Sequence, residues 1–325
     1  MPLSDLVIIR VEASNAIGFG HMMRCFALAD ELVANSHVAF ITQSDSVIEA
    51  CSTRGFDSFK FSDDRIAINY LKKEKYCDAN VKLVIDTKHD YSKSEVIALR
   101  NECLGIYFIE NVSVGTIEAD YVIFPAAHFD YELVYGSLNF SMPVEKLIYG
   151  EEFVIIREEL KDCVGGSGGG LVVTTGASDP CGVMQVLDEV LANLGLRAQF
   201  LIGEKFDFTL KKHGKKFGSK YSKYDYRYIA NADVVISAFG VSVYESLFYR
   251  KPTVSIGHTR ENAVGSSILA SKTKMVRDIG YYKNLKSSKL QSTLDGFIDV
   301  KSRQNEFHVD GSGAMRICKV ILGHD

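Results

Sequence analysis

Short aliphatic runs recur along the chain, each followed by residues with helical spacing. LVIIRV (6–11) precedes a helical pattern from about His21 to Ala34, and HVAFIT (37–42) precedes one near 46–54. KLVIDT (82–87), GIYFIE (105–110) and DYVIFP (120–125) extend the series. A strand with one wet face alternates apolar and polar residues, whereas a continuous Val/Ile/Leu run has no wet face. Such runs, separated by helices, belong to a parallel sheet covered on both sides. The first half therefore reads as a doubly wound α/β domain.

The alternation restarts after VGGSGGG (164–170). LVVTTG (171–176), a helix from about Cys181 to Leu194, AQFLIG (198–203), DVVISA (233–238), a helix from about Val241 to Tyr249 and TVSIG (253–257) follow in order. The expected fold class is thus α/β, two Rossmann-like domains facing across a cleft, with boundaries at 1–150 and 151–304 and the changeover near Tyr149. The glycine stretch fits a surface loop before a strand as well as a hinge. Apolar residues at Met315, Ile317, Val320, Ile321 and Leu322 predict a closing amphipathic helix, about 305–325, that packs back on the first domain.

A chain of 325 residues is long enough for two cores. Its 37 basic and 41 acidic residues offer no basic field for a polyanion, so nucleic acid is excluded as a partner. The start, MPLSDLVIIRVEAS, lacks a basic region followed by a long apolar one, and no apolar run is long enough to span a bilayer. A cytoplasmic location is expected. Seven cysteines without CxxC or Cys/His clustering read as reduced core residues, with neither disulfides nor a metal.

Three turns could carry chemistry. In IGFGH (17–21), Gly18 and Gly20 permit a tight turn after the first strand, and the helix N-terminus offers free N–H groups to an anion. Met23 stands where the dinucleotide fingerprint needs its third glycine, which weakens a dehydrogenase reading. His21 falls at the carboxyl end of that strand, where open α/β sheets bind ligands. The second turn, TGASDP (175–180), places Gly176 after a strand, Ser178 or Asp179 as a cap and Pro180 in the first helical turn. The third, ISAFGVSVYES (236–246), has Gly240, Val241 and Ser242 at a helix start, suited to phosphate, and Glu245 one turn in, able to accept from ribose hydroxyls.

Taken together, RVEASNAIGFGHMMRCFALADEL (10–32), KLIYGEEFVIIREEL (146–160), TGASDP, ADVVISAFGVSVYESL (232–247), Asn262-Ala263 and VDGSGAMRI (309–317) resemble the PseG/SpsG family, in the same order over nearly the whole chain. The resemblance implies a GT-B architecture related to the MurG transferases and metal-free hydrolysis of a UDP-activated sugar. In the best-known members that sugar is UDP-2,4-diacetamido-2,4,6-trideoxy-β-L-altropyranose, on the way to pseudaminic acid. It also implies that His21 activates the attacking water. Ser178 and Asp179 match the family's SDP loop, Gly240, Ser242 and Glu245 its diphosphate and ribose segment, and Asn262 the asparagine of its NQ pair. Arg24 lies within the first matched stretch, and Asp86, at a strand end, is a candidate for orienting a neighbour or a substrate hydroxyl, or else a loop cap.

Departures mark the pocket. Ala263 replaces glutamine, Phe239 a glycine of a GG pair and Ala177 a glycine of GGSDP, while ENVS (110–113) stands where the hydrolases tend to show DD. IDTKHDYS (85–92) puts Lys88 where the family has a tyrosine, with His89 and Tyr91 close by. An ammonium has three donors and no acceptor, so it does not mimic a phenol. The expected function is hydrolysis of a nucleotide sugar at its anomeric carbon, without cofactor, the candidate catalytic residues being His21, Asn262 and Lys88. A GT-B glycosyltransferase using the same donor site is the alternative, and a non-catalytic sugar-nucleotide binder the third. The base, the sugar and the oligomeric state stay open.

Overall fold

The computed structural model describes residues 5–14, 18–77, 79–206, 209–297, 307 and 309–323, so Ile17 of the first turn and most of 298–308 lie outside the described residues. The chain divides into two compact units, Met1–Arg157 with Ser312–Asp325, and Glu158–Gly311. It passes from one to the other beyond Tyr149, because the strand ending at Tyr149 and the turn Glu151–Phe153 still pack on the first sheet.

The first unit contains β1 (Asp5–Val11), β2 (His37–Thr42), β3 (Asp57–Lys60), β4 (Asn80–Asp86), β5 (Gly105–Ile109), β6 (Tyr121–Phe124) and β7 (Leu147–Tyr149). They form one parallel sheet in the order β3-β2-β1-β4-β5-β6-β7. Its helices are α1 (Gly20–Leu32), α2 (Asp45–Arg54), α3 (Asp64–Glu74), α4 (Lys93–Arg100) and α5 (Tyr131–Tyr135). Strand periodicity divides the core. Val7, Ile9 and Val11 of β1 join Val84 and the buried face of α1, whereas Leu6 and Ile8 join Leu83, Ile85 and the residues of α3 and α4. Both faces are apolar because both are covered. The winding reverses between β1 and β4, the crevice where doubly wound sheets bind ligands.

The second unit carries α6 (Glu158–Lys161), β8 (Leu171–Thr174), α7 (Val183–Asn193), β9 (Gln199–Ile202), β10 (Lys220–Lys223), α8 (Tyr226–Asn231), β11 (Val234–Ala238), α9 (Val241–Phe248), β12 (Thr253–Gly257), α10 (Arg260–Lys272), β13 (Val276–Tyr281) and α11 (Ser287–Asp295). Its parallel sheet runs β10-β9-β8-β11-β12-β13, with the reversal between β8 and β11. The edge strand β10 exposes Lys220 and Lys223, a charge placement that discourages pairing with another chain. VGGSGGG is a surface loop tied to its neighbours: Asp233 accepts from the N–H groups of Gly168 and Gly170, and Gly166 and Gly169 donate to Ala230 and Asn231.

Three expectations are corrected. The closing helix α12 is Gly313–Leu322, shorter than 305–325, because Gly311 turns with φ +78° just ahead of it. Pro180 does not open α7, which starts at Val183. Of the cysteines only Cys25, Cys51 and Cys318 are buried, and Cys77 is exposed. Among the described residues no helix is long and apolar enough to cross a membrane.

The last helix completes the first unit. Ala314, Ile317, Cys318 and Ile321 pack into the core beside α1, and each wholly buried isoleucine contributes about 2 kcal/mol. Its C-terminal carbonyls are held from the sheet, Lys82 Nζ donating to Leu322 O at 2.9 Å and Tyr107 to Ile321 O at 3.1 Å. Its N-terminus approaches so closely that a Cβ on Gly313 would run into the backbone of Phe153 and Val154. Gly313→Ala is therefore expected to destabilise the chain by about 1–3 kcal/mol in denaturant unfolding, the range for overpacking against a backbone that must move; unchanged stability would refute this packing.

Candidate active site

At the crevice between β1 and β4, four side chains from three elements meet. Asp86, the last residue of β4, has a side chain with no solvent exposure. Arg24 of α1 donates to both its oxygens, Nε to Oδ2 at 2.6 Å and Nη2 to Oδ1 at 2.7 Å. The remaining nitrogen, Nη1, pairs with Glu110 at 2.5 Å, and Glu110 adopts φ +49° directly after β5. His21, one turn before Arg24 on the same helix face, places Nδ1 at 2.6 Å from Asp86 Oδ1.

The charges follow from this geometry. Burial by itself would push the Asp86 carboxyl up; the charge and hydrogen bonds of Arg24, with the bond from His21, hold it well below the usual carboxylate range. An ionised carboxylate only accepts, so Nδ1 must carry the proton in that bond. Arg24 Nη2 also lies 3.0 Å from Nδ1, but it too is a donor and already serves Oδ1. Asp86 therefore selects the tautomer whose Nε2 is the free acceptor, the form a general base requires. His21 is bound only through Nδ1 among the described residues, and its side chain keeps 18% exposure.

In the second unit the carboxyl ends of β8, β11 and β12 supply a different kind of site. Gly176 takes φ +85°, and a Cβ there would stand 3.8 Å from Ser242 Oγ, which brings the second and third turns together. A Cβ on Gly203, after β9, would collide with the Gly176 and Ala177 carbonyls, and one on Gly257 with Ala263 at the start of α10. Those two glycines let the loops seat. Gly240 caps α9 without a side-chain bond, and α9 has no acid in its first turn, which leaves the N–H groups of Val241 and Ser242 to an anion. Glu245, buried, accepts from Tyr224 at 2.6 Å. Asp179 spends both oxygens on α7, accepting from Val183 and Met184 at 2.9 and 2.8 Å, whereas Ser178 is half-buried. Asn262, in the first turn of α10, has its oxygen held by the Thr259 hydroxyl at 2.7 Å.

Lys88 is exposed in the loop after β4 and lines a cavity whose walls do not include His21. Gly18 turns with φ +90° and Gly20 begins α1. Sequence reasoning missed three participants. Glu110 had been noted only as a departure from DD. Tyr224 follows the polar strand β10, which no apolar run marks. His258 follows β12 as His21 follows the turn after β1, a strand-end placement that could have found it. Two buried polar atoms here, Thr175 Oγ1 and His258 Nδ1, have no hydrogen-bond partner among the described residues, at a typical cost of about 1–3 kcal/mol each.

No protein-family model matches the chain, and no curated protein matches it. Solved structures do. MurG of Acinetobacter baumannii superposes with a TM-score of 0.66 at 10% identity over 98% of this chain and 99% of its own. UGT2 of Phytolacca americana, complexed with UDP-2fluoro-glucose and pterostilbene, gives 0.62 at 10% identity over 99% and 94%. UDP-GlcNAc 2-epimerase of Methanocaldococcus jannaschii gives 0.57 at 12% identity over 98% and 99%. At these identities the likeness is one of fold, and the fold is the GT-B type.

Two outcomes are expected. Asp86→Asn takes the buried carboxylate from Arg24, leaving Glu110 as its counter-charge, and should lower stability by about 3 kcal/mol in denaturant unfolding, the low end for a broken buried pair. Burial pushes the His258 imidazole below its ordinary value while Asp179 pulls the other way. The unfolded chain then binds the proton more readily than the folded one, so this group removes stability as pH falls below about 6.5. His258→Gln should flatten the stability-versus-pH curve there, and a curve identical to that of the parent would contradict the assignment.

Proposed function

We propose that the protein hydrolyses a UDP-activated amino or deoxy sugar at its anomeric carbon. The observation that carries the reading is the His21–Asp86 pair, a histidine held at Nδ1 with Nε2 free at the ligand-binding edge of the first sheet. Nε2 takes a proton from water as the water oxygen bonds to the anomeric carbon. The bond from that carbon to the diphosphate oxygen breaks with its electron pair, and the nucleotide leaves as a diphosphate that needs charge stabilisation rather than protonation. The imidazolium then returns its proton to solvent.

The nucleotide falls to the second unit. The free N–H groups at the start of α9 and the Ser242 hydroxyl neutralise the diphosphate, and Glu245 accepts from ribose hydroxyls. Uridine is supported by the resemblance to the PseG/SpsG family and by the UDP-sugars in the names of GT-B structures of like fold. The same comparison lends weight to a second reading, transfer of the sugar to an acceptor hydroxyl, since UGT2 was solved with UDP-2fluoro-glucose and pterostilbene together. In that case Nε2 deprotonates the acceptor instead of water.

Incubation with a panel of UDP-sugars should release free sugar and UDP without any acceptor. A donor that stays intact until an alcohol is added would favour transfer, and a rearranged sugar still bound to nucleotide would favour epimerisation. His21→Ala should lower turnover by roughly 10²–10⁴-fold while UDP binding persists; turnover at the parental rate would sink the mechanism. Glu245→Ala should weaken UDP binding about tenfold, the effect of losing a charged hydrogen bond.

A further inference from the structure

On the α3 and α4 side of the first sheet, the carboxyl ends of β1 to β4 enclose a cavity of about 680 Å3, within the usual span for small-molecule sites of roughly 300–1,000 Å3. Its floor is a buried polar network. Arg10 donates through Nε to Asp64 at 2.7 Å and through Nη1 to Glu12, while Tyr91 donates to the other Asp64 oxygen at 2.7 Å. Glu12 is further occupied by Thr42, Ser44 and the Gln43 N–H. Arg10 is thus shared between two carboxylates, which holds the floor rigid.

Two polar groups remain for something else. Arg10, 6% exposed, makes no bond through Nη2 among the described residues. Thr87 also lines the cavity, but its hydroxyl oxygen is enclosed beside Tyr91 and does not face it. Lys88 stands at the rim without an ion pair among the described residues.

We propose that this cavity binds a neutral polyhydroxylated molecule, a sugar or sugar alcohol, in addition to the nucleotide sugar. Four carboxylates line it, Glu12, Asp63, Asp64 and Glu95, against three cations, Arg10, Arg65 and Lys88, so an anion entering there meets an excess of negative charge. A hydroxyl both donates and accepts, and can therefore satisfy the Arg10 edge and the remaining lone pairs of Asp64 together. Ala98 and Leu99 offer an apolar wall to the carbon face of a sugar ring. Binding here does not depend on the hydrolytic reading. Only a role for the bound sugar as an acceptor does.

The test is calorimetric titration of the full chain with N-acetylglucosamine, glucose and glucuronate, repeated in the presence of saturating UDP. The neutral sugars should saturate with millimolar Kd, UDP should leave their binding in place, and glucuronate should bind no more tightly. Lys88→Ala should raise the Kd severalfold while melting no lower than the parent. The His21→Ala protein should bind as the parent does, which separates failure of this site from failure of the catalytic assignment. The site is overturned if neither neutral sugar saturates through the millimolar range, if Lys88→Ala binds like the parent, or if glucuronate binds more tightly than glucose.

Discussion

A carboxylate with no solvent exposure at the end of a parallel strand stays ionised only if cations and donors are brought to it, and the first unit is organised around meeting that demand at Asp86. Arg24 reaches it as a two-pronged donor, which fixes the rotation of α1 about its own axis. With α1 so oriented, His21 falls one turn earlier on the same face, while Cys25, Phe26, Leu28, Ala29 and Leu32 turn into the core. Glu110 then balances the charge of Arg24 from the neighbouring strand. The geometry of the His21–Asp86 pair and the packing of the helix are thus one arrangement, and α12, seated against α1, closes the same core.

The second unit solves a different problem with different means. Its site is built less from charged side chains than from backbone: a helix start without a cap at Gly240, a left-handed turn at Gly176, and two close approaches that glycine alone permits at Gly203 and Gly257. Backbone amides suit a diphosphate, whose charge is spread over several oxygens. The first unit thus offers a histidine with a free ring nitrogen and the second a helix start with free N–H groups, the two features on which the proposed reaction draws.

Most of the strands were legible because a parallel strand buried on both faces must be apolar throughout, and LVIIRV, HVAFIT, KLVIDT and DVVISA meet that requirement. What escaped is what burial does not mark. β3 (DSFK) and β10 (KYSK) are edge strands that remain partly wet, and β7 is only three residues long. The helix α10 (RENAVGSSILASK) buries only Gly265, Ser266 and Leu269, so it lacks a clear apolar stripe. His21 was visible from its place after a strand and a glycine turn, and Asp86 from its place at a strand end. Glu110 was not, because its role depends on a left-handed backbone at that residue and on the lateral pairing of β4 with β5. The cavity above Arg10 likewise joins residues from 10 to 99 that only the strand order brings together.

The account turns on which nitrogen of His21 carries the proton. Long-range ¹H–¹⁵N correlation spectra of the histidine rings, with His21 assigned by its absence in His21→Ala, report this directly. The tautomer protonated at Nδ1, with Nε2 resonating as an unprotonated acceptor, is the predicted result, and conversion toward the other tautomer in Asp86→Asn would show that the carboxylate selects it. A neutral His21 protonated at Nε2 in the parent protein would contradict the mechanism, because the nitrogen required to take the proton would already hold one.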